Sequence, residues 1–410
     1  MSSAALLSVP MADVERVLDC APRALVDLRS PGEFAADHLP GAENVPLFGD
    51  LDRAVIGTLY VQRSPESAFE EGRARTRAGI AELTARVAAL ARWDVPAVDL
   101  AERVARMTAG GIERLEQELG ATRAVPDPES VVFYCWRGGL RSRAVIAFLR
   151  QLGLRSALGI EGGYRSYRRS VRRRVEQWKA PESFVLRGLT GVGKTLVLRE
   201  LLQMRPEWCL DLEAHAGHRS SILGMVGLEP ASQKLFESRL ARRIAQGFPG
   251  PCVVEGESRK VGDVILPSSV WRAIEGGTSF ELVAPLERRV RVLVEDYLAG
   301  PRSRVELAAR LPFIELRLGK RWSGVLVGML ESGREEELVE LLLERYYDPL
   351  YRHSEGRRGC VARFDSSAPR GAAEEIQRWI EKDRARASVV AKASAVPARA
   401  SASAARVADL

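Results

Sequence analysis

Two short stretches of this 410-residue chain carry residue types and spacings suited to chemistry on anions. The first is VVFYCWRGGLRSRAVIAFL, residues 131 to 149, where a β-type run ends on Cys135 and turns through Gly138 and Gly139. An amphipathic helical pattern then begins around Arg141 and Ser142. Backbone amides in such a turn, with a helix N-terminus behind them, form a bowl for a tetrahedral anion. The same field lowers a thiol's pKa and makes its thiolate available near neutral pH. Cys135 is therefore read as a nucleophile, with Arg137, Gly138, Gly139, Arg141 and Ser142 as its anion cradle. A purely structural cysteine would leave the glycines and arginines unexplained.

The second stretch is GLTGVGKT, Gly188 to Thr195, which satisfies G-x-x-x-x-G-K-[ST] between a β-like run and a helical one. Gly188, Gly191 and Gly193 let successive amides face one concavity. Lys194 would reach a terminal phosphate, and Thr195 would hold Mg²⁺. The pattern specifies phosphate, not ATP hydrolysis. Downstream, Asp211 in DLEAHAGHRSS and Glu255 and Glu257 in PCVVEGESRKVGDVILP end further strand-like runs, as candidate carboxylates for a metal or substrate. Arg259 is a candidate phosphate clamp. His215 and His218 lack a third ligand at zinc spacing and suit contact with a phosphate or nucleotide better.

Positioning these loops calls for strands that deliver them and helices that follow. Segments such as ALVDLRS (24–30) and VVFYC (131–135) read as buried strands, and RSRAVIAFLRQLG (141–153) as a helix. The expected fold is α/β: a parallel-sheet domain over 1–167 with a helical insertion at about 65–120, then a P-loop parallel-sheet domain over 183–383. A basic connector, 168–182, would join them, and the Ala/Ser/Arg-biased 384–410 reads as a disordered tail. In the connector, Arg168, Arg169, Arg172, Arg173 and Arg174 are candidate nucleic-acid contacts or a solvated helix face.

The net charge of +7 favours an anionic partner. The five cysteines show no CxxC spacing, which argues against a disulfide framework or structural zinc and fits a reducing cytoplasm. The N-terminus has no basic leader, and no apolar run is long enough to span a bilayer. Cys209, Cys252 and Cys360 read as ordinary small apolar residues.

LVDLRSPGEFAADHLPGAENVPL (25–47), the Cys135 loop and GIEGGYRSYRR (159–169) together resemble rhodanese domains. That family moves sulfur or selenium on the loop cysteine. The loop here is one residue longer than the common C-x-x-G-x-R form, a length also found in rhodanese-fold phosphatases. The loop alone thus leaves phosphatase or sulfurtransferase chemistry open, coupled to a kinase or NTPase domain. The ordered set of these motifs with GLTGVGKT, DLEAHAGHR, VVEGESRKVG and ERYYDPLY (344–351) resembles the tRNA 2-selenouridine synthases. The resemblance implies a transferase acting on the wobble 2-thiouridine of tRNA. Geranyl diphosphate would supply an S-geranyl group, selenophosphate would then supply selenium, and Cys135 would be the selenium-handling nucleophile. It implies no haem, flavin, zinc or membrane partner, and a monomer is expected.

Overall fold

A computed structural model describes residues 7–298, 300, 302–350 and 359–394, with side chains described as far as 386. The first sheet comprises β1 (Leu7–Ala12), β2 (Ala24–Asp27), β3 (Ala42–Asn44), β4 (Leu119–Arg123), β5 (Val131–Tyr134) and β6 (Ala157–Ile160). Its order is β3-β2-β5-β6-β1-β4, with every pair parallel. The second contains β7 (Ser183–Arg187), β8 (Cys209–Leu210), β9 (Cys252–Glu255), β12 (Thr278–Val283) and β13 (Ala362–Asp365), in the parallel order β13-β12-β7-β9-β8. Between β9 and β12 lies a hairpin of β10 (Lys260–Val261) and β11 (Val264–Ile265). The expected α/β class with two parallel sheets is what the chain forms.

Strands β5 and β7 are flanked on both sides and fully buried, as their near-continuous apolar runs require. Cys135 and the glycine-rich loop each leave the C-terminal end of one of these strands, where open parallel sheets hold their ligands.

The helical stretch between β3 and β4 begins earlier than expected, with a helix Asp50–Gln62, and continues through Pro65–Ala91, Leu100–Met107 and Gly111–Glu118. Ile80, Leu83, Val87, Val104 and Leu115 from it join Val131, Phe133 and Phe148 in one core.

The segment read as a basic connector belongs, as far as Gln177, to a helix that starts earlier, and that helix is packed into both halves. A helix runs from Gly163 to Gln177, and Tyr164, Tyr167, Val171 and Val175 form a buried stripe along it at helical spacing. That stripe joins a cluster containing Val132 and Ile160 of the first sheet together with Val185, Leu210 and Val254 of the second. The two sheets therefore share one continuous core through this helix. The expected tail also differs at its start. A helix Pro369–Ser394 seats Ala372, Ala373, Ile376 and Ile380 against Leu198 and Leu201, so 384–394 are helical. Residues 395–410 of that expected tail lie outside the described residues. Among the described residues no helix is long and apolar enough to cross a membrane.

Candidate active site: a thiol loop and a phosphate loop

Cys135 follows β5 directly and is 2% exposed. Its Sγ lies 3.2 Å from Ser142 Oγ, on the first turn of the helix Leu140–Gln151. Burial alone would push this thiol up. The charge of Arg141, the Ser142 hydroxyl and the backbone amides of Arg137 and Ser142 outweigh burial and hold it below its usual value of 9.0. The cradle is thus assembled from amides, a hydroxyl and a guanidinium turned toward sulfur. Arg137 contributes its backbone amide, while its side chain is exposed. Gly139 keeps an ordinary φ of −89° and caps the helix, its carbonyl accepting from the Ser142 hydroxyl at 3.3 Å.

Gly138 is at φ +62°, and a Cβ there would stand 2.5 Å from the Ile160 carbonyl oxygen. Gly163 is its counterpart on the shared helix: a Cβ would meet the Cys135 carbonyl oxygen and the Gly138 nitrogen, both at 2.4 Å. Tyr164 and Arg165 amides donate to the Cys135 and Trp136 carbonyls at 2.9 and 3.0 Å, which clamps the bowl from behind. The early signature supports the same corner. Asp27 and Arg29 form a buried pair, and the Arg29 guanidinium lies 3.8 Å from the centre of the Tyr164 ring. Ser30 and Glu33 form a capping box on the helix Pro31–Ala36.

The phosphate loop leads into the helix Lys194–Met204, with Gly188, Gly191 and Gly193 all at positive φ. A Cβ on Gly188 would lie 2.4 Å from the Leu282 carbonyl oxygen. Lys194 Nζ donates to the Gly188 carbonyl at 2.9 Å, so the ammonium arches over its own loop. Thr195 Oγ1 stands 2.9 Å from Glu213 Oε2 and 2.7 Å from Glu255 Oε1. A hydroxyl has one proton to give, so one of these contacts is completed by a protonated carboxyl. Burial, compounded by Glu257 and Asp211, pushes Glu213 up to about 8. Burial and the neighbouring Glu213 raise Glu255 well above the usual carboxyl range. Glu255 Oε2 is buried with no hydrogen-bond partner. A hydroxyl and a carboxylate oxygen facing a phosphate loop are the oxygen donors Mg²⁺ takes, so these residues fit that ion.

Asp211 accepts from the Ala214 amide at 2.8 Å as the cap of the helix Leu212–Ala216. Glu257 is buried two residues beyond β9. Arg259 stands exposed at the approach to the β10–β11 hairpin, and the arginine that touches the phosphate loop is Arg289, whose Nε donates to the Thr190 carbonyl at 2.9 Å. His215 is partly buried and held down at about 4, first by desolvation and then by Arg239, Arg242 and Arg243, so it is neutral at physiological pH. Burial pushes the Cys209 and Cys252 thiols up to about 12. Cys360, expected among small apolar residues, is exposed.

Residues 181–387 match a family model described as the tRNA 2-selenouridine synthase AAA domain. The chain is 31% identical over 359 residues to the tRNA 2-selenouridine synthase of Chromohalobacter salexigens, covering 81% of this chain and 88% of that one. It is 30% identical over 395 residues to the synthase of Cupriavidus pinatubonensis, covering 88% and 95%. The chain belongs to the tRNA 2-selenouridine synthase family.

In this member of the synthase family the basic helix does not present all five expected arginines to solvent. Arg168 is 13% exposed and bridges the two halves: Nη1 donates to Ser238 Oγ and the Lys234 carbonyl, both at 3.0 Å, and lies 3.4 Å from Asp37 Oδ2. Its other nitrogen pairs with Glu237. Arg174 is half-buried against Glu15. Arg169, Arg172 and Arg173 are exposed, and Arg165, one turn before Arg169, extends their face toward the thiol loop. Sequence reasoning passed over Arg165 as well as Gly163 and Arg289. Gly163 had a usable signal, since a Gly-Gly pair opening a helix marks a close backbone approach.

Proposed function

We propose that the protein is a tRNA-modifying transferase that converts a wobble 2-thiouridine to 2-selenouridine in two steps. In the first, the C2 sulfur attacks C1 of geranyl diphosphate, the C–O bond breaks, and diphosphate leaves with the electron pair. In the second, the Cys135 thiolate takes the phosphoryl group of selenophosphate, the P–Se bond breaks, and water then releases that group as phosphate; the freed selenide attacks C2, a C2–Se bond forms, the C2–S bond breaks, and geranylthiolate leaves with its pair. S-alkylation turns a thiocarbonyl into a competent leaving group, which rationalises the order.

The phosphate loop suits the first step. Its amides and Lys194 would hold the diphosphate as its charge grows, a role that needs no nucleotide turnover. Mg²⁺ would be held by Thr195 and Glu255 and would neutralise that charge. The thiol loop suits the second step: its bowl would accept selenophosphate, and Cys135 would be the selenium-handling nucleophile. The observation that carries this reading is the buried thiol drawn below its usual pKa by inward-facing amides and Arg141. The reaction is assigned to a reducing cytoplasm, and the protein to a monomer.

The test is mass spectrometry of wobble nucleosides after incubating purified protein with 2-thiouridine tRNA and both small substrates. Wild type is expected to give 2-selenouridine, and Cys135→Ala to stop at the S-geranyl nucleoside. Selenation by the cysteine variant would remove Cys135 from the reaction. Phosphate release from ATP and simple phosphomonoesters, without tRNA dependence, would favour a phosphatase joined to an NTPase.

A further inference from the structure

A cavity of about 1090 Å³ opens onto Cys135, large for a small-molecule site. One wall is the helix Leu140–Gln151, through Val145 and Phe148; the others are the helices between β3 and β4, through Ile56, Phe69 and Met107, with Phe48 from the loop before them. The thiol end carries Arg137 and Arg141, and the body is predominantly apolar. Beside it, Tyr60 and Val61 are held out at 60% and 83% exposure, apolar surface that a ligand would cover. An inorganic anion at the thiol loop has no use for such walls. Near the phosphate loop, by contrast, the apolar cavity lined by Thr190, Leu293 and Tyr347 is about 40 Å³, room for only a few atoms.

We infer that the large groove is a hydrocarbon-binding site that seats the S-alkyl chain of the modified nucleoside during selenium transfer. This rests on the two-step reading above and adds where the chain sits, and therefore how the thiol site knows its substrate. A ten-carbon chain in the groove places its sulfur, and the C2 carbon attached to it, at the end occupied by Cys135 and the arginines. Unalkylated 2-thiouridine lacks that anchor. The groove thus makes the first step a condition of the second by recognising its product, and it holds the departing geranylthiolate by the same chain.

The experiment uses the full-length protein, selenophosphate and preformed anticodon stem–loop RNAs whose wobble base carries S-geranyl-, S-methyl- or unalkylated 2-thiouridine. Selenation of the S-geranyl RNA is expected to have a kcat/KM at least about tenfold above that of the S-methyl RNA, since several methylenes are buried. Ile56→Trp and Met107→Trp, which fill the groove from half-buried positions, are each expected to move that ratio toward one, through KM. Equal rates on S-geranyl and S-methyl RNA in the wild type would overturn the groove assignment and leave the two-step reading intact. So would variants that are folded by circular dichroism and keep the full ratio. Selenation of the unalkylated RNA as fast as the S-geranyl RNA would instead overturn the two-step reading, and this inference with it.

Discussion

Arg289 grips the Asp348 carboxylate with two guanidinium nitrogens, at 3.0 and 2.6 Å, while its Nε donates to the Thr190 carbonyl of the phosphate loop. The pair is buried, so its partners depend on each other for neutralisation. Asp348→Ala should cost on the order of 3 kcal/mol, because a buried guanidinium loses its counter-charge. It should also weaken pyrophosphate binding by releasing the loop carbonyl from a fixed position. Thermal unfolding and titration calorimetry with inorganic pyrophosphate check the two effects separately.

The Cys135 thiol should alkylate with a midpoint below 9.0. Arg141→Met removes the stabilising charge and should move that midpoint up. Iodoacetamide labelling against pH, with the modified peptide read by mass spectrometry, separates Cys135 from the exposed Cys360 and from Cys209 and Cys252 at about 12.

Gly163→Ala should disable the thiol loop more than the fold. Its Cβ would collide with two backbone atoms of the loop, and its φ of +56° adds strain, together costing about 1–3 kcal/mol. The expected result is a loss of selenation with S-alkylation largely kept.

Glu213 should give the protein a recognisable pH signature. Its folded pKa of about 8 lies above the ordinary glutamate value of 4.5, so between these values the folded state holds a proton that the unfolded state has released. Stability from this group is complete below about 4.5 and declines as pH rises to about 8. Glu213→Gln should flatten that decline, as seen in melting temperature against pH.

The exposed and clasped arginines should part company on mutation. Arg165→Ala, Arg169→Ala and Arg172→Ala should each weaken tRNA binding and reduce the slope of log K against log salt by roughly 0.7–0.9. Arg168→Ala should lower the melting temperature, because Asp37, Ser238 and Glu237 lose their shared partner. Filter binding across a salt series, together with melting curves, distinguishes the two groups.

Much of this arrangement could be read before any coordinates. Both loops follow strongly apolar strands, so strand, turn and helix all point the same way at Cys135 and at Lys194. Legibility ended where chemistry depends on distant segments. Thr195 and Glu255 are 60 residues apart, and their contact follows from β7 and β9 pairing rather than from any local pattern. The buried face of the Gly163–Gln177 helix went unread because its arginines outnumber its apolar residues, and the stripe through Tyr164, Tyr167, Val171 and Val175 is inconspicuous among them. Strand β1 hides for a different reason: Pro10 lies within it, a residue that usually argues against a central strand.

The helix Gly163–Gln177, packed into both halves along its length, leaves no hinge at the junction. On the proposed two-step reading, chemistry at the two loops would therefore not be joined by the protein folding shut around a stationary base. The anticodon loop would travel instead, released from one mouth and delivered to the other, while the enzyme stays a fixed bench beneath it.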